Sequence, residues 1–509
     1  MDVPTLSIDA AHSTFYRIYD NSERSSHVDE ILKQLDFHPL SVTLLATAAR
    51  QNGWDDSRLL KEWEGRQTDI LQTEHSQSLA VTIELSLSSP MFQQLGPDAR
   101  ELLGVVAFFP QGVDEKNLDW LFPTIPNRET VFDKFCILSL TYRNNGFVTM
   151  LAPLRDHLRP KGPMSSPLLF ATKKLYASRL SVDIGPMFPG FEDTRWITSE
   201  DVNVEHLFDA FTSANPNSND TWDGCLNFMG HLYWHKPRMT VLGPKIEQLP
   251  DDHLYKPRGL FELSGLFNTA GDYAEEKRLL THALKLWREG GDSDYLVART
   301  LKRLAAANRL LGLHEEGVRQ VEEASRVFER IGDTVEQAEC LVSLAVLLLA
   351  GEQLDAAEEA ATRSISILGK GQEFTLCGSH RSLGDVYLSK GEKEKAIHHY
   401  NVALGIAKTF NWHTQMLWIH YSLANIFCDE NEFDDAHTHI KQAKEHAADK
   451  KYFLGRAMEA HAQIWYRQGR YEDAMSEALS AIEIYGELGA GVHLERCRAF
   501  LQRVEQSMK

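Results

Sequence analysis

Residues 383–404 read LGDVYLSKGEKEKAIHHYNVAL. Apolar and small residues recur there at three- and four-residue spacing on both sides of Gly391, which predicts two amphipathic helices joined by a short turn. The scheme returns in LANIFCDENEFDDAHTHIKQA (423–443) and HAQIWYRQGRYEDAMSEALSAI (461–482). It is already present in LSGLFNTAGDYAEEKRLLTHAL (263–284), LAAANRLLGLHEEGVRQVEEAS (304–325) and LAVLLLAGEQLDAAEEAATRSI (344–365). The starts at 263, 304, 344, 383, 423 and 461 lie 41, 40, 39, 40 and 38 residues apart. A fixed period of this size marks a repeat architecture. Gly384, Ala424, Ala396 and Ala436 fall where paired helices must approach, and Tyr387, Phe427 and Trp465 fill the space beside them. Gly271, Gly312, Gly391 and Gly469 occupy the corners, where a tight turn is cheapest for glycine. One pair cannot bury both of its apolar faces, so neighbours must stack. The last segment, GVHLERCRAFLQRVEQSMK (491–509), reads as a single capping helix.

These residues resemble the tetratricopeptide repeat, with its L-G-x-x-Y, A-x-x-x-F and A pattern, over residues 383–482 and more loosely over 263–365. The period is longer than the usual 34 residues, as in the light-chain type of the repeat. The resemblance implies an all-α fold: a right-handed superhelix (an α-solenoid) whose concave groove is lined by the first helix of each pair. It assigns residues 251–509 to the repeats and their cap.

Upstream, RPKGPMSSPLL (159–169) reads as a linker, and IGPMFPGF (184–191) and SANPNSND (213–220) read as loops. DVNVEHLFDAFTSA and WDGCLNFMGHLYWH look helical, so residues 161–250 form an irregular helical connector. In 91–160, GPDARELLGVVAFF, VDEKNLDWLF and RETVFDKFCIL read as three helices. LSLTYR and FVTMLA then flank Asn144-Asn145-Gly146, a hairpin turn signal. Three helices and a two-stranded ribbon predict a winged-helix module. Its third helix is not basic, so a structural role is expected rather than DNA binding.

Residues 1–90 carry amphipathic helices, among them LDFHPLSVTLLA (35–46) and SLAVTIELSLSSP. The order of helical bundle, winged helix and repeats resembles the tail of a STAND-class NTPase of the NB-ARC type, over roughly residues 1–160. In that resemblance Pro39 stands where the family proline packs on adenine. Phe37-His38 replace the family's Gly-Leu, and Met150-Leu151-Ala152 stand in place of Met-His-Asp. A phosphate loop needs G-x-x-x-x-G-K-[ST]. The one Gly-Lys, Gly369-Lys370, has Ser364 at the first glycine position and Gly371 after it. No cofactor is therefore expected, the chain starts where the family's catalytic core ends, and Pro39 is most simply a helix start.

Formal net charge is −19, with 72 acidic against 53 basic residues, which argues against a general nucleic-acid binder. The longest apolar run, LVSLAVLLLA (341–350), is about half of what a membrane span needs. MDVPTLSIDA lacks the basic and apolar regions of a secretory signal. Six cysteines, none in a C-x-x-C pair, read as reduced thiols, so a cytoplasmic protein is expected. His398, His399, His437, His439 and His446 have no converging spacing for a metal site, and no metal is expected. No G-x-S-x-G elbow appears, and no catalytic residues are expected.

Projection of the repeat onto its groove-facing positions places Arg299, Lys302, Arg303 and Arg309 in the second repeat. It places Arg381 in the fourth, Tyr421 and Asn425 in the fifth and Arg456 in the sixth. This stripe suits a peptide bearing acidic groups. The plainer alternative pairs these cations with neighbouring glutamates. The expected function is partner recognition without a reaction: the sensor half of a STAND-like regulator, binding a protein or peptide. Assembly with a full-length STAND paralogue is a further expectation of that resemblance. A light-chain-type adaptor and an ATPase whose phosphate loop lies upstream are the alternatives.

Overall fold

A computed structural model describes residues 6–20, 25–35, 37–69, 77–181, 195–235, 238–291, 294–447, 451–488 and 491–508. The chain forms two compact units that divide between Cys225 and Leu226, inside one helix.

The first unit opens with α1 (Ile8–Tyr19), α2 (Ser26–Gln34), α3 (Pro39–Asn52), α4 (Asp56–Asp69) and α5 (Gln77–Leu87). Their apolar faces share one core containing Phe15, Leu32, Leu45, Trp63 and Leu85. Pro39 occupies the start of α3, and His38 caps it by accepting from Ser41 N–H through Nδ1 at 3.4 Å. A proline there loses no helical hydrogen bond. After α6 (Pro90–Gln93) and α7 (Ala99–Phe108), the segment expected to be a helix from Val113 begins instead as strand β1 (Val113–Asp114). It becomes helical only at Glu115–Asn117 and α8 (Leu118–Leu121). Then come α9 (Arg128–Ile137), β2 (Tyr142–Asn144) and β3 (Phe147–Thr149). The expected hairpin is therefore the greater part of a three-stranded antiparallel sheet of order β1-β3-β2, with Val113 opposite Val148 and Tyr142 opposite Thr149.

The unit closes with α10 (Ala152–Leu158), α11 (Pro167–Leu180), α12 (Arg195–Ala214) and the start of α13 (Asn219–His235). The stretch expected to be a linker is shorter than its composition suggests. It holds one tight helical turn, Pro163–Ser165, after which Ser166 caps α11 and Pro167 starts it. Residues 184–191 lie outside the described residues. Glu200 of α12 ties this region to the sheet. It accepts from Asn117 at 2.8 Å, Asn203 at 2.7 Å and the Tyr176 hydroxyl at 3.1 Å, while Asn203 also donates to the Gly112 carbonyl at 2.8 Å. Burial pushes the Glu200 carboxyl above its usual range.

The second unit runs from the end of α13 through α14 (Leu242–Gln248) into six consecutive helix pairs. They are α15 (Lys256–Ala270) with α16 (Tyr273–Gly290), α17 (Asp294–Leu310) with α18 (His314–Ile331), and α19 (Thr334–Ala350) with α20 (Leu354–Ile367). Then follow α21 (Glu373–Ser389) with α22 (Lys393–Thr409), α23 (His413–Asp429) with α24 (Phe433–Ala447), and α25 (Lys451–Arg467) with α26 (Tyr471–Leu488). The capping helix α27 (Gly491–Ser507) packs on α26. This is the solenoid that the period predicts. Each corner needs one residue at positive φ: Gly271, Gly312, Gly391 and Gly469 supply it in four pairs, Glu352 and Asn431 in the other two. At Gly384 a Cβ would sit 2.8 Å from the Tyr400 ring, so the close approach of α21 and α22 depends on the missing methyl.

Candidate functional site

Helices α17, α19, α21, α23 and α25 each pack on the next in that series as well as on their own partners. First helices drawn together in this way line the inner side of a curved array. The sequence-predicted groove residues all lie on this series, and their surroundings divide them into three groups.

Lys302 and Arg303 are engaged internally. The Lys302 ammonium donates to Glu336 at 2.5 Å and to Glu339 at 2.6 Å, both from α19. Burial opposes its charge, but the two carboxylates hold its pKa above the usual lysine value. Arg303 donates to the Phe261 carbonyl at 3.1 Å and lies 3.6 Å from Glu276. Its guanidinium also stacks over Tyr233 at 5.1 Å and Phe261 at 4.8 Å. A Cβ on residue 265 would fall 2.2 Å from Arg303 Nη2, so Gly265 makes the room this guanidinium occupies. Burial pushes both Glu262 and Glu276 above the usual carboxylate range, and the Arg303 charge works against that rise. These acids lie on α15 and α16 and are the glutamate partners of the plainer alternative.

Arg299, Tyr421 and Arg456 sit against aromatic rings. Arg299 lies 5.6 Å from the Phe261 ring centre and 5.8 Å from that of Tyr295. Arg456 lies 5.3 Å over Trp418, and Tyr421 meets the same indole edge-on at 6.1 Å. Such stacking orients a guanidinium while leaving its N–H edge open for a ligand. Asn425 stands one helical turn beyond Tyr421 on α23, half-buried.

Arg309 and Arg381 form the third group. Arg309 is half-buried, and among the described residues its side chain has no hydrogen bond or ion pair. Burial pushes its pKa below the usual arginine value; Tyr273 opposes that push and the charge of Arg381 adds a smaller one. Arg381 reaches Asp385 at 3.3 Å, one turn along its own helix, and its Nε is buried without a partner. Asp385 is itself shared, since the Tyr400 hydroxyl donates to it at 2.5 Å. Burial raises the Asp385 pKa, with Arg381 opposing. The first of these guanidiniums, on the second helix pair, has no counter-ion, and the second, on the fourth, shares its one carboxylate with Tyr400.

Sequence projection missed residues that come to this face from outside the repeat pattern. Helix α27 touches α15. Its Arg496 makes a two-pronged contact with Glu459 of α25, at 2.5 and 2.6 Å. Tyr452 of α25 contacts His493 of α27 at 3.1 Å. Arg496 and His493 lie in the cap, which has no repeat register from which to project them. Pro39 lies in the first unit, as the start of α3. Among the described residues no group of three or more His, Cys, Asp or Glu side chains is placed to hold a metal ion, and no helix is long and apolar enough to cross a membrane.

The tetratricopeptide repeat family model matches residues 296–370, which span the second and third helix pairs. No curated protein sequence matches the chain. Among solved structures, a Signal Transduction ATPase with Numerous Domains (STAND) protein with a tetratricopeptide repeat sensor, from Pyrococcus horikoshii, aligns with 99% of this chain and 71% of its own. The TM-score is 0.55 and the identity 16%, a likeness of fold. A Rap protein complexed with competence and sporulation factor aligns with 65% of this chain and 98% of its own, at TM-score 0.41 and 13% identity. The Rap conjugation gene regulator of the plasmid pLS20, in complex with the Phr* peptide, aligns with 66% and 98%, at TM-score 0.39 and 13% identity. The chain therefore carries tetratricopeptide repeats, and its fold is similar to that of a STAND protein with such a sensor.

Proposed function

We propose that the chain recognises a protein or peptide segment carrying acidic groups, on the inner face of its repeat array, and carries out no reaction of its own. The observation that carries this reading is that Arg309 is half-buried with no ion pair or side-chain hydrogen bond among the described residues, while Arg381 has a buried Nε without a partner. A half-buried guanidinium without a counter-charge is costly, and a second one nearby raises the cost. Ligand carboxylates at these guanidiniums would relieve that cost and gain charge-assisted hydrogen bonds, which are about twice as strong as neutral ones. Arg299 and Arg456, set against aromatic rings, offer further donors, and Asn425 can bond a peptide backbone. Lys302 and Arg303 serve instead to set the α17 surface, through their own glutamates.

The whole-chain likeness in fold to a STAND protein supports reading the array as the sensor part of a STAND-like regulator. In that reading residues 91–160 are a winged-helix module with a structural role. Panning a random-sequence peptide library on the intact protein tests the ligand class. The recovered pool should be enriched in Asp and Glu, and its binding should weaken with added salt. A pool of neutral or basic composition would contradict the reading.

A further inference from the structure

The fourth and fifth helix pairs hold a second arrangement that ligand recognition does not use: imidazole rings facing imidazole rings across helix interfaces. His380 of α21 and His399 of α22 place their Nδ1 atoms 3.0 Å apart, with ring centres at 5.3 Å and planes 22° from parallel. His420 of α23 and His439 of α24 repeat the geometry, with Nδ1 atoms 3.0 Å apart. The His420 ring also stacks on His446 of α24 at 5.7 Å, and His446 Nδ1 lies 3.1 Å from Nδ1 of His413. His399 lies flat on Tyr387 and His439 flat on Phe427, which fixes both rings from their other faces.

Two ring nitrogens 3.0 Å apart need one N–H and one lone pair. Each pair can therefore accept one proton at most before two N–H groups confront each other. Nearby charge does little to help. His398 is the titratable neighbour acting on the first pair, and it opposes protonation of both rings. On the second set, Lys408 of α22 opposes protonation of His420, His439 and His446, whereas Asp435 favours it at His439 and Glu445 favours it at His446. Burial, followed by the partner ring, pulls His380 and His420 down to about 4. Burial also lowers His399, His439 and His446. A third contact, His437 with His461 at 3.0 Å, differs because Glu477 lies 3.0 Å from His461 Nδ1 and can hold a proton there.

We infer that the His380–His399 and His413–His446–His420–His439 contacts form an acid-sensitive joint, whose protonation separates α21 from α22 and α23 from α24. The sign follows from linkage. Free histidine titrates near 6.5, so below that pH the unfolded segment binds more protons than the folded one. Stability of the joint is complete above about pH 6.5 and is lost as pH falls from there toward 4. Because α21 carries Arg381 and α23 carries Tyr421 and Asn425, acidification would also release a ligand. That consequence rests on the peptide reading, while the joint itself does not.

Hydrogen exchange at about pH 7.5 and about pH 5, corrected for intrinsic rates, reads the joint without any ligand. Amides of α21–α24 should lose at least about 100-fold in protection, and those of α15–α18 less than about threefold. In the double variant His399→Gln, His439→Gln, whose amides can bond the remaining rings in any charge state, the loss in α21–α24 should fall below about tenfold. Equal losses in both segments, or an undiminished loss in the variant, would overturn the inference. Should the variant not fold at neutral pH, ring titration of the histidine-labelled native protein decides. Midpoints below about 5 for His380 and His420 support the joint, and midpoints near 6.5 refute it.

Discussion

Tyr400→Ala should cost about 4 kcal/mol in the fourth helix pair, the expected range for deleting a buried aromatic ring. Tyr400 is fully buried, and its ring fills the space that Gly384 leaves between α21 and α22. The same core holds Cys377, Ala396, Ala403 and Ile419, so the lost ring borders the interface with α23 as well. Its hydroxyl is the second support of Asp385. Without it, a half-buried carboxylate is left to Arg381 alone. Hydrogen-exchange protection of α21 and α22 should drop by about a thousandfold, since each factor of ten is about 1.4 kcal/mol. Tyr400→Phe keeps the packing and loses only the hydroxyl, and should cost about 1–2 kcal/mol. Similar protection in the alanine variant and the native protein would mean that the pair is not held by this ring.

Asp220→Ala should weaken the first unit by about 2–3 kcal/mol. Lys173 of α11 is completely buried, yet its ammonium lies 2.8 Å from Asp220 and 3.2 Å from the Thr221 hydroxyl. The rings of Phe170 and Phe211 flank it at 4.8 and 5.4 Å. Removing one partner of such a pair strands the other charge away from water, which costs about 3–5 kcal/mol when both are buried. Asp220 is half-exposed at 57%, so water can partly replace it, and the lower figure applies. The Lys173 contact also holds the Asp220 pKa below its usual value. That share of the stability is present above about pH 4 and fades as acid protonates the carboxylate. Protection of α11 amides should fall by about 30–100-fold in the variant, and the double variant Lys173→Met, Asp220→Ala should recover most of it. Failure of the methionine to restore protection would show that the ion pair is not the cause.

Six helix pairs are legible because each prints the same spacing, and because a corner that needs positive φ selects glycine in four of them. The corners at Glu352 and Asn431 carry no such signal, yet the surrounding period still places them. Strand β1 is hidden for the opposite reason. Two residues show no alternation, and Val113 becomes a strand only by pairing with Val148, far along the chain. Pro167 stands among prolines and serines that resemble a linker, but one serine and one proline in the right order are also a helix start. The site is half legible. Periodicity puts cations on the first helices, but not the counter-charges that arrive from the next pair, as Glu336 and Glu339 do for Lys302. The imidazole contacts lie 19 residues apart in each of two successive pairs, and their facing geometry depends on how the helices pack rather than on either helix alone.

Titration of an acidic peptide from the selected pool against the native protein and the variant Arg309→Gln, Arg381→Gln tests the central claim most directly. The Arg309 side chain has no ion pair or hydrogen bond to lose among the described residues, and Asp385 keeps its bond from Tyr400, so the variant should fold with native protection of α17 and α21. Affinity should fall by at least about 30-fold, near 2 kcal/mol, with most of the salt dependence gone. A folded variant that binds the peptide as tightly as the native chain would place the recognition surface elsewhere.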